Sequence, residues 1–157
     1  MSNIIPNLYL GDVHDALAVS QGDNPLNITR MITVSKELAA HIHPDPAHVQ
    51  HLVIEVNDAP TEDLRQYFYA AIGFIDQGLR KNERTLVHCY AGISRSSTIV
   101  LAYMLHEYPY MSLNAALNHV RSARPIVNPN PGFMYQLAQF ENDRDDFISN
   151  ESRFILI

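Results

Sequence analysis

The alternation of apolar and polar positions along the chain predicts a mixture of strands and helices. Short apolar runs bounded by turn residues predict strands, and longer runs with apolar residues every three or four positions predict helices. The predicted strands cover residues 4–10, 28–34, 49–56 and 85–87. The predicted helices cover residues 14–20, 61–81, 98–105, 112–124 and 133–143. This order predicts an α/β domain in which helices flank a central, largely parallel sheet.

Residues at the element boundaries add detail to this pattern. Pro6 interrupts the first predicted strand, which therefore belongs at a sheet edge. Residues 28–34 and 49–56 are apolar enough to be inner strands. Thr61 is expected to start a helix whose first turn carries two carboxylates, a position where negative charge is favourable.

The length of 157 residues suits one domain with its own hydrophobic core. We assign residues 1–150 to that domain and residues 151–157 to an apolar C-terminal tail. The tail ends in Phe154-Ile155-Leu156-Ile157, and four apolar residues at a free end should not stay in water. We expect the tail to pack on the domain, so that deleting residues 152–157 lowers the melting temperature.

Composition limits the setting in which the protein works. A single cysteine forms no internal disulfide, which favours a reducing compartment, the cytoplasm or the nucleus. The first residues lack the pattern of a signal peptide, and no apolar segment is long enough to cross a membrane. The net charge of −6 argues against nucleic-acid binding, so any attraction for phosphate must be local.

The single cysteine lies in a loop with the chemistry of an anion site. The loop connects a predicted strand to a predicted buried helix, and Arg95 follows Cys89 after six positions. Backbone N–H groups of a tight loop, together with the start of a helix, attract anions. Gly92 lets the backbone turn tightly, and the planar guanidinium of Arg95 suits two oxygens of a phosphate. A thiol close to these positive groups loses its proton readily. The sequence therefore predicts a phosphate-binding loop, or cradle, with a thiolate at its floor.

The run HCYAGISRSST at 88–98 resembles the signature of cysteine-dependent protein phosphatases, in particular the dual-specificity branch. Segments on both sides resemble the same family in the same order along most of the chain: NLYLGD at 7–12, IEVND at 54–58, DLRQYF at 63–68, AYML at 102–105, MSLNAAL at 111–117 and RPIVNPNPGF at 124–133. The resemblance implies that the chain has the single-domain fold of these phosphatases. Within the family it implies the small, atypical type.

The resemblance also implies roles for four residues of this loop. Cys89 is the expected nucleophile and forms a phosphocysteine intermediate. Arg95 holds the equatorial oxygens of the phosphoryl group and stabilises their charge. Ser96 donates a hydrogen bond to the sulfur and helps it to leave, a role that is compatible with capping the following helix. His88 is expected to order the loop from behind, not to act as a general base.

The remaining phosphate contacts are expected from the loop itself and from its rim. The loop residues are Tyr90, Ala91, Gly92, Ile93, Ser94 and Arg95. Arg124 matches a family arginine near the rim that is available to a second phosphate, although it also suits the C-terminal end of a helix dipole. Asn130 lies in the segment 128–132, which resembles the loop that packs against the cradle.

The leaving oxygen needs a proton, so a general acid is required. Asp58 is the first candidate, because it follows a predicted strand, lies beside a proline and matches the family's aspartate upstream of the loop. Asp63 is the alternative, although its position in the first turn of a predicted helix already explains a carboxylate there.

Three functions are compatible with these residues. The first is a protein phosphatase acting on phosphotyrosine, phosphoserine and phosphothreonine, because the chain lacks tryptophan and so the Trp-Pro-Asp loop of the tyrosine-specific branch. The second is a catalytically weak module that binds phosphoproteins. The third is another cysteine enzyme, a rhodanese or an arsenate reductase, which needs no Asp58. Phosphoinositides are less favoured as substrates, because the loop lacks lysine.

No cofactor is expected, since the thiolate takes the place of an activated water. Four of the eight histidines, His41, His43, His48 and His51, lie around a proline-containing loop. Their spacing is not typical of metal ligands, so we predict a solvated loop and no metal site.

Overall fold

The structure, a computed structural model, describes residues 1–155, with side chains described as far as Glu151. Its elements in chain order are β1 (Ser2–Ile5), β2 (Leu8–Gly11), α1 (Val13–Ser20), β3 (Ile28–Val34), β4 (Gln50–Ile54), α2 (Phe68–Arg80), β5 (Arg84–His88), α3 (Arg95–Glu107), α4 (Leu113–Ala123) and α5 (Pro131–Ile155). The predicted alternation of strands and helices is confirmed.

The five strands form one sheet in the order β1-β2-β5-β3-β4. The pairs β2–β5, β5–β3 and β3–β4 are parallel, and the pair β1–β2 is antiparallel. The largely parallel sheet is therefore confirmed. Because β5 lies in the middle, the loop that follows it emerges at the centre of the sheet's carboxyl edge, where ligands bind in open α/β folds.

Helices cover both faces of this sheet. The helices α2 to α5 pack on one face, with strand residues such as Ile32 and Val87 in that core. The helix α1 and the segment 35–49 cover the other face, which carries Met31 and Leu86. This division follows from the pleat, because successive strand residues point to opposite faces. Within α3 every residue from Arg95 to Leu105 is buried, so the helix that follows the loop is held rigidly in the core.

The helix predicted for residues 61–81 begins only at Phe68. The preceding residues form a short 3-10 turn, Arg65–Tyr67. The side-chain oxygen of Gln136 in α5 accepts hydrogen bonds from the backbone N–H groups of Leu64 and Arg65, each at 2.9 Å. A tertiary contact therefore satisfies the N–H groups that the sequence pattern assigned to a helical turn.

Three further boundaries differ from the prediction. The first predicted strand is a hairpin of β1 and β2, with Asn7 in the left-handed region at φ 69° between them. The segment 49–56, predicted as an inner strand, supplies the edge strand β4, which pairs with β3 and leaves Val53 37% exposed. The last helix runs over Pro131–Ile155, well beyond the predicted end at 143.

The side chains of the predicted tail, residues 152–157, lie outside the described residues. The packing of the tail on the domain therefore remains a prediction, as does the division at residue 150, which falls within α5. In the part of the chain that the structure describes, no helix combines the length and the apolarity that a membrane crossing requires.

Candidate active site

The candidate site is the loop between β5 and α3. His88 is the last residue of β5 and Arg95 is the first of α3, so Cys89 lies at the end of the central strand. The Cys89 side chain is buried at 3% exposure. The strand and the buried helix thus fix both ends of a six-residue turn, as the sequence predicted.

The first carbonyls of the loop are held from outside. The ring nitrogen Nδ1 of His88 lies 3.1 Å from the Cys89 carbonyl oxygen, and since a carbonyl only accepts, this nitrogen donates. The backbone N–H of Val13, at the start of α1, donates to the Tyr90 carbonyl at 2.9 Å. Both carbonyls are therefore directed away from the inside of the loop.

Arg124 holds the next two carbonyls. Its Nε donates to the Gly92 carbonyl at 2.9 Å, and its Nη2 donates to the Ala91 carbonyl at 3.3 Å. Its Nη1 donates to the Ser2 hydroxyl at 3.2 Å. Each of the three guanidinium nitrogens is thus engaged within the protein, and two of them hold the loop. Contact of Arg124 with a second phosphate remains a prediction.

The next carbonyl, that of Ile93, is held as well. The Ile93 carbonyl accepts hydrogen bonds from the Asn128 backbone N–H at 2.9 Å and from the Ser97 hydroxyl at 2.7 Å. Every peptide bond in the described chain is trans, and in a trans peptide the N–H points opposite to the C=O. Because the carbonyls of residues 89–93 are bound outside, the N–H groups of residues 90–94 point into the loop, where no acceptor is recorded for them among the described residues. The cradle predicted for Tyr90 to Ser94 therefore has a backbone geometry that suits an anion.

Gly92 makes this closed turn possible. Its backbone lies in the left-handed region at φ 66°. A Cβ at this position would lie 2.5 Å from Nη2 of Arg124 and 2.6 Å from the Gly11 carbonyl oxygen. Any side chain would therefore displace the arginine that holds the loop.

Ser96 lies next to the thiol. Its hydroxyl oxygen is 3.0 Å from the Cys89 sulfur, and both side chains are buried. The serine stands in the first turn of α3, whereas the N-cap is Ser94. A hydroxyl at this distance donates a hydrogen bond to a thiolate without any rearrangement.

Arg95 is held by a carboxylate that the sequence analysis did not identify. Its Nη1 and Nη2 donate to the two carboxylate oxygens of Glu37 at 2.7 and 2.5 Å. Nη1 also donates to the Val56 carbonyl at 3.0 Å. The hydrogen bonds from Arg95 lower the pKa of Glu37 to about 2. Burial alone would lower the pKa of Arg95, but the hydrogen bonds with Glu37 outweigh it and raise that pKa.

This pairing leaves one side of the guanidinium available. Glu37 and Val56 take both hydrogens of Nη1 and one of Nη2. Among the described residues, no acceptor is recorded for Nε of Arg95 or for the second hydrogen of Nη2. These two N–H groups lie on the same edge of the planar guanidinium, so they match two oxygens of one phosphate.

Asp58 lies at the pocket and Asp63 does not. The pocket has a volume of about 280 Å³ and is lined by Glu37, Asp58, Cys89, Tyr90, Ala91, Ile93, Ser94 and Arg95. The side-chain amide of Asn130 donates to Oδ1 of Asp58 at 3.0 Å. Asp63 instead accepts from the backbone N–H of Gln66 in the 3-10 turn, at 3.3 Å.

Asn130 connects the Asp58 segment to the loop. Its backbone N–H donates to the Ser94 hydroxyl at 3.0 Å, and its side-chain oxygen caps α5 by accepting from Phe133 at 2.9 Å. A Cβ on Gly132 would lie only 1.9 Å from the Pro60 carbonyl oxygen. The glycine thus allows the start of α5 to approach the backbone of the segment that carries Asp58.

His88 lies behind the cysteine, where the sequence placed it. It is fully buried, and burial lowers its pKa to about 4. Its Nε2 is 2.7 Å from the hydroxyl oxygen of Thr33 on β3. An imidazole that stays neutral and is bonded through both nitrogens is well suited to orient a backbone carbonyl and poorly suited to exchange protons with a substrate.

Glu37 and Thr33 support the site but are not predicted from the sequence patterns. Both belong to the carboxyl end of β3 or to the residues just beyond it, next to β5 in the sheet. The general rule that ligands bind at the carboxyl ends of parallel strands would have pointed to these two residues. Among the described residues, no cluster of three or more histidine, cysteine, aspartate or glutamate side chains has the geometry of a metal site.

Comparisons with known proteins identify the family of this chain. Residues 8–143 match the family model described as the dual specificity phosphatase catalytic domain. The chain is 39% identical over 154 residues to dual specificity protein phosphatase 1 of Arabidopsis thaliana, covering 94% of this chain and 74% of that protein.

Solved structures give the same result. The human tyrosine phosphatase-like serine/threonine/tyrosine-interacting protein is 32% identical, with a TM-score of 0.81 over 90% of this chain and 95% of that one. Human DUSP28 is 29% identical, with a TM-score of 0.82 over 93% of this chain and 99% of that one. The chain belongs to the dual specificity phosphatase family and is thus an enzyme of the protein-tyrosine-phosphatase superfamily.

Proposed function

We propose that the protein hydrolyses phosphotyrosine, phosphoserine and phosphothreonine in protein substrates through a phosphocysteine intermediate. The observation that carries the proposal is that the carbonyls of residues 89–93 are all hydrogen-bonded outside the loop. The N–H groups of residues 90–94 are therefore directed into the loop that begins at Cys89, and Arg95, at the end of the loop, keeps one edge of its guanidinium available. This arrangement matches the three equatorial oxygens of a phosphoryl group under attack. The proposal requires no metal and no cofactor.

In the first step, the Cys89 thiolate attacks phosphorus and forms an S–P bond. The bond from phosphorus to the substrate oxygen breaks, and that oxygen takes the proton carried by Asp58. The amide of Asn130 donates to Oδ1 of Asp58. This bond favours the other oxygen, Oδ2, as the one that carries the proton toward the leaving group.

In the second step, a water molecule attacks phosphorus and gives its proton to the Asp58 carboxylate. The S–P bond breaks, inorganic phosphate is formed and the sulfur leaves as a thiolate. The hydroxyl of Ser96, 3.0 Å from the sulfur, donates a hydrogen bond to the charge that develops there. Asp58 and Cys89 return to their starting protonation states, so the cycle balances.

The pocket favours a single phosphoryl group on a protein side chain. Arg95 is the only cation among its lining residues, and the guanidinium of Arg124 is engaged at the back of the loop. Two carboxylates, Glu37 and Asp58, are also among the lining residues. The lining offers no further cation for additional phosphates, which disfavours polyphosphorylated ligands such as phosphoinositides. The exposed Tyr90 and Ile93 offer apolar contact to a substrate.

The second candidate function is a phosphoprotein-binding module with weak or no turnover. One structural relative is itself named a tyrosine phosphatase-like interacting protein. Against this alternative, Cys89, Arg95, Ser96 and Asp58 are all present in this chain and lie at one site. We therefore favour turnover.

The test is hydrolysis of para-nitrophenyl phosphate from pH 4 to 9 with EDTA present, for the wild type and for Cys89→Ser. We expect metal-independent activity with an acidic optimum, and a loss of about 10⁴-fold or more in the variant, since removal of a nucleophile has effects of this size. A folded wild type without activity that binds a phosphotyrosine peptide would favour the binding module.

The place of action is also a proposal. We propose the cytoplasm or the nucleus, because the one cysteine of this chain must stay reduced to act as a nucleophile. Fluorescence microscopy of a tagged protein tests this, and exclusive residence in an oxidising compartment would contradict it.

A further inference from the structure

Three polar side chains form a row across the sheet behind the loop. Thr33 on β3 is the register partner of His88 on β5 and of Val53 on β4. His51 lies two residues before Val53 and so on the same face. The Thr33 hydroxyl oxygen is 2.7 Å from Nε2 of His88 and 2.6 Å from Nε2 of His51. The row thus runs from the edge strand to the residue before the nucleophile.

The positions of the hydrogen atoms in this row can be derived from the groups that can only accept hydrogen bonds. The Cys89 carbonyl only accepts, so Nδ1 of His88 carries a hydrogen. Burial of His88 keeps its ring neutral near pH 7. The second nitrogen, Nε2, then has a lone pair and must accept. The donor is the Thr33 hydroxyl, which gives its only hydrogen to it.

His51 must therefore donate to Thr33. The Thr33 oxygen has already given its hydrogen to His88, so a contact of 2.6 Å with Nε2 of His51 requires a hydrogen on that nitrogen. The charged ring and one of the two neutral tautomers of His51 have this hydrogen. The row then has one direction, from His51 through Thr33 and His88 to the Cys89 carbonyl.

We propose that His51 is a positioning residue for the reaction, a role that rests on the proposed function of the loop. Its N–H fixes the Thr33 hydroxyl, the hydroxyl fixes the tautomer of His88, and His88 holds the Cys89 carbonyl outward. The same peptide bond then directs the Tyr90 N–H into the cradle. Without the donor from His51, the Thr33 hydroxyl turns freely and His88 can take the tautomer that no longer donates to the carbonyl.

The charged and titratable neighbours of the row are few. The 35–49 segment brings His43 toward His51, and burial together with His43 lowers the pKa of His51. Asp12 and Asp15, next to and within α1, face His88 and favour its charged form, but burial outweighs them. The direction of the row is the same for charged His51 and for its donating neutral form.

The test compares two variants at position 51. His51→Phe keeps a ring of similar size without a donor, and His51→Gln keeps an N–H donor. His48→Phe and His48→Gln are the matched controls, because the His48 side chain is 81% exposed. Cys89 is the only cysteine, so iodoacetamide reports its reactivity alone. Alkylation rates against pH and kcat for para-nitrophenyl phosphate are measured for each variant.

We expect His51→Phe to lower kcat roughly tenfold, the effect of losing one buried hydrogen bond, and to move the midpoint of alkylation to higher pH. His51→Gln should stay within about twofold of the wild type, and both His48 variants should be unchanged. A folded His51→Phe protein with wild-type values, or equal losses in Phe and Gln, would overturn the proposal.

A measurement on the wild type covers the case in which His51→Phe does not fold. Nitrogen-15 spectra of the imidazoles at pH 7 should show neutral His88 with its hydrogen on Nδ1, and His51 with a hydrogen on Nε2. The opposite tautomer at either residue would contradict the row. Alkylation and spectra need no turnover, so a failure of the proposed hydrolysis is seen separately from a failure of this inference.

Discussion

The loop that carries Cys89 and the segment that carries Asp58 are held in opposite ways. Each carbonyl from residue 89 to residue 93 has a hydrogen-bond donor outside the loop, and the cysteine is buried. Asp58 is exposed, and the recorded hydrogen bond of its side chain comes from Asn130. The loop is therefore held by a donor at every carbonyl, whereas the Asp58 side chain has one recorded hydrogen-bond partner.

The difference matches the tasks that we propose for the two regions. Stabilising a transferred phosphoryl group requires donors that are already in place, because reorienting them would cost free energy during the reaction. A general acid must release and regain a proton in every cycle, so contact with water is an advantage. Four predictions test this division, beginning with the largest expected effect.

Replacing Asp58 by Asn should slow hydrolysis of phenyl phosphate about 100-fold, because its leaving oxygen needs a proton. The loss should be much smaller for para-nitrophenyl phosphate, whose leaving group is stable as an anion. Steady-state rates on both substrates measure the ratio. Asp63→Asn is the control, because this carboxylate lies at the 3-10 turn outside the pocket. Equal losses on both substrates would contradict the assignment of Asp58.

Replacing Arg124 by Ala should lower kcat/KM roughly tenfold or more, because the carbonyls of Ala91 and Gly92 both lose a charged donor. The loop N–H groups then lose part of their fixed direction. Arg80→Ala is the control, since that side chain is 79% exposed and pairs only with Asp76 among the described residues. If a folded Arg124→Ala protein kept full activity, the cradle would not depend on this support.

Replacing Glu37 by Gln should weaken competitive inhibition by tungstate about threefold, because Arg95 loses one charge-assisted hydrogen bond and part of its orientation. Removing the negative charge would favour anion binding, but the Glu37 side chain is 47% exposed and solvent screens its charge. Glu55→Gln, another exposed carboxylate, is the control. Tighter inhibition in Glu37→Gln would show that charge outweighs orientation.

His88, which holds the Cys89 carbonyl, should also make the stability of the protein depend on pH. Burial lowers the pKa of His88 from 6.5 to about 4, so below pH 6.5 the unfolded chain binds a proton that the folded protein does not. As the pH is lowered from 6.5 to 4, the free energy of unfolding should therefore fall by about 1 kcal/mol per pH unit. Urea denaturation at several pH values measures this slope. His88→Gln should flatten it, and an unchanged slope would mean that another group is responsible.

The sequence by itself determined the features that depend on neighbouring residues. The alternation of strands and helices, the position of the loop between β5 and α3, and the spacing of the cysteine and the arginine in that loop all come from patterns within about ten residues. Apolar periodicity and the spacing of Cys89 and Arg95 are local, so no knowledge of the packing was needed to find them.

Only the tertiary structure decided which distant residues hold these groups. Glu37 meets Arg95 across 58 positions, and Asn130 meets Asp58 across 72. It also decided that the α-helix begins at Phe68 and not at Thr61, because the side chain of Gln136 accepts hydrogen bonds from the N–H groups of Leu64 and Arg65. A single carboxylate or amide has no periodic signal of its own. The order of the strands in the sheet sets its partner, and that order depends on how all the apolar faces are buried together.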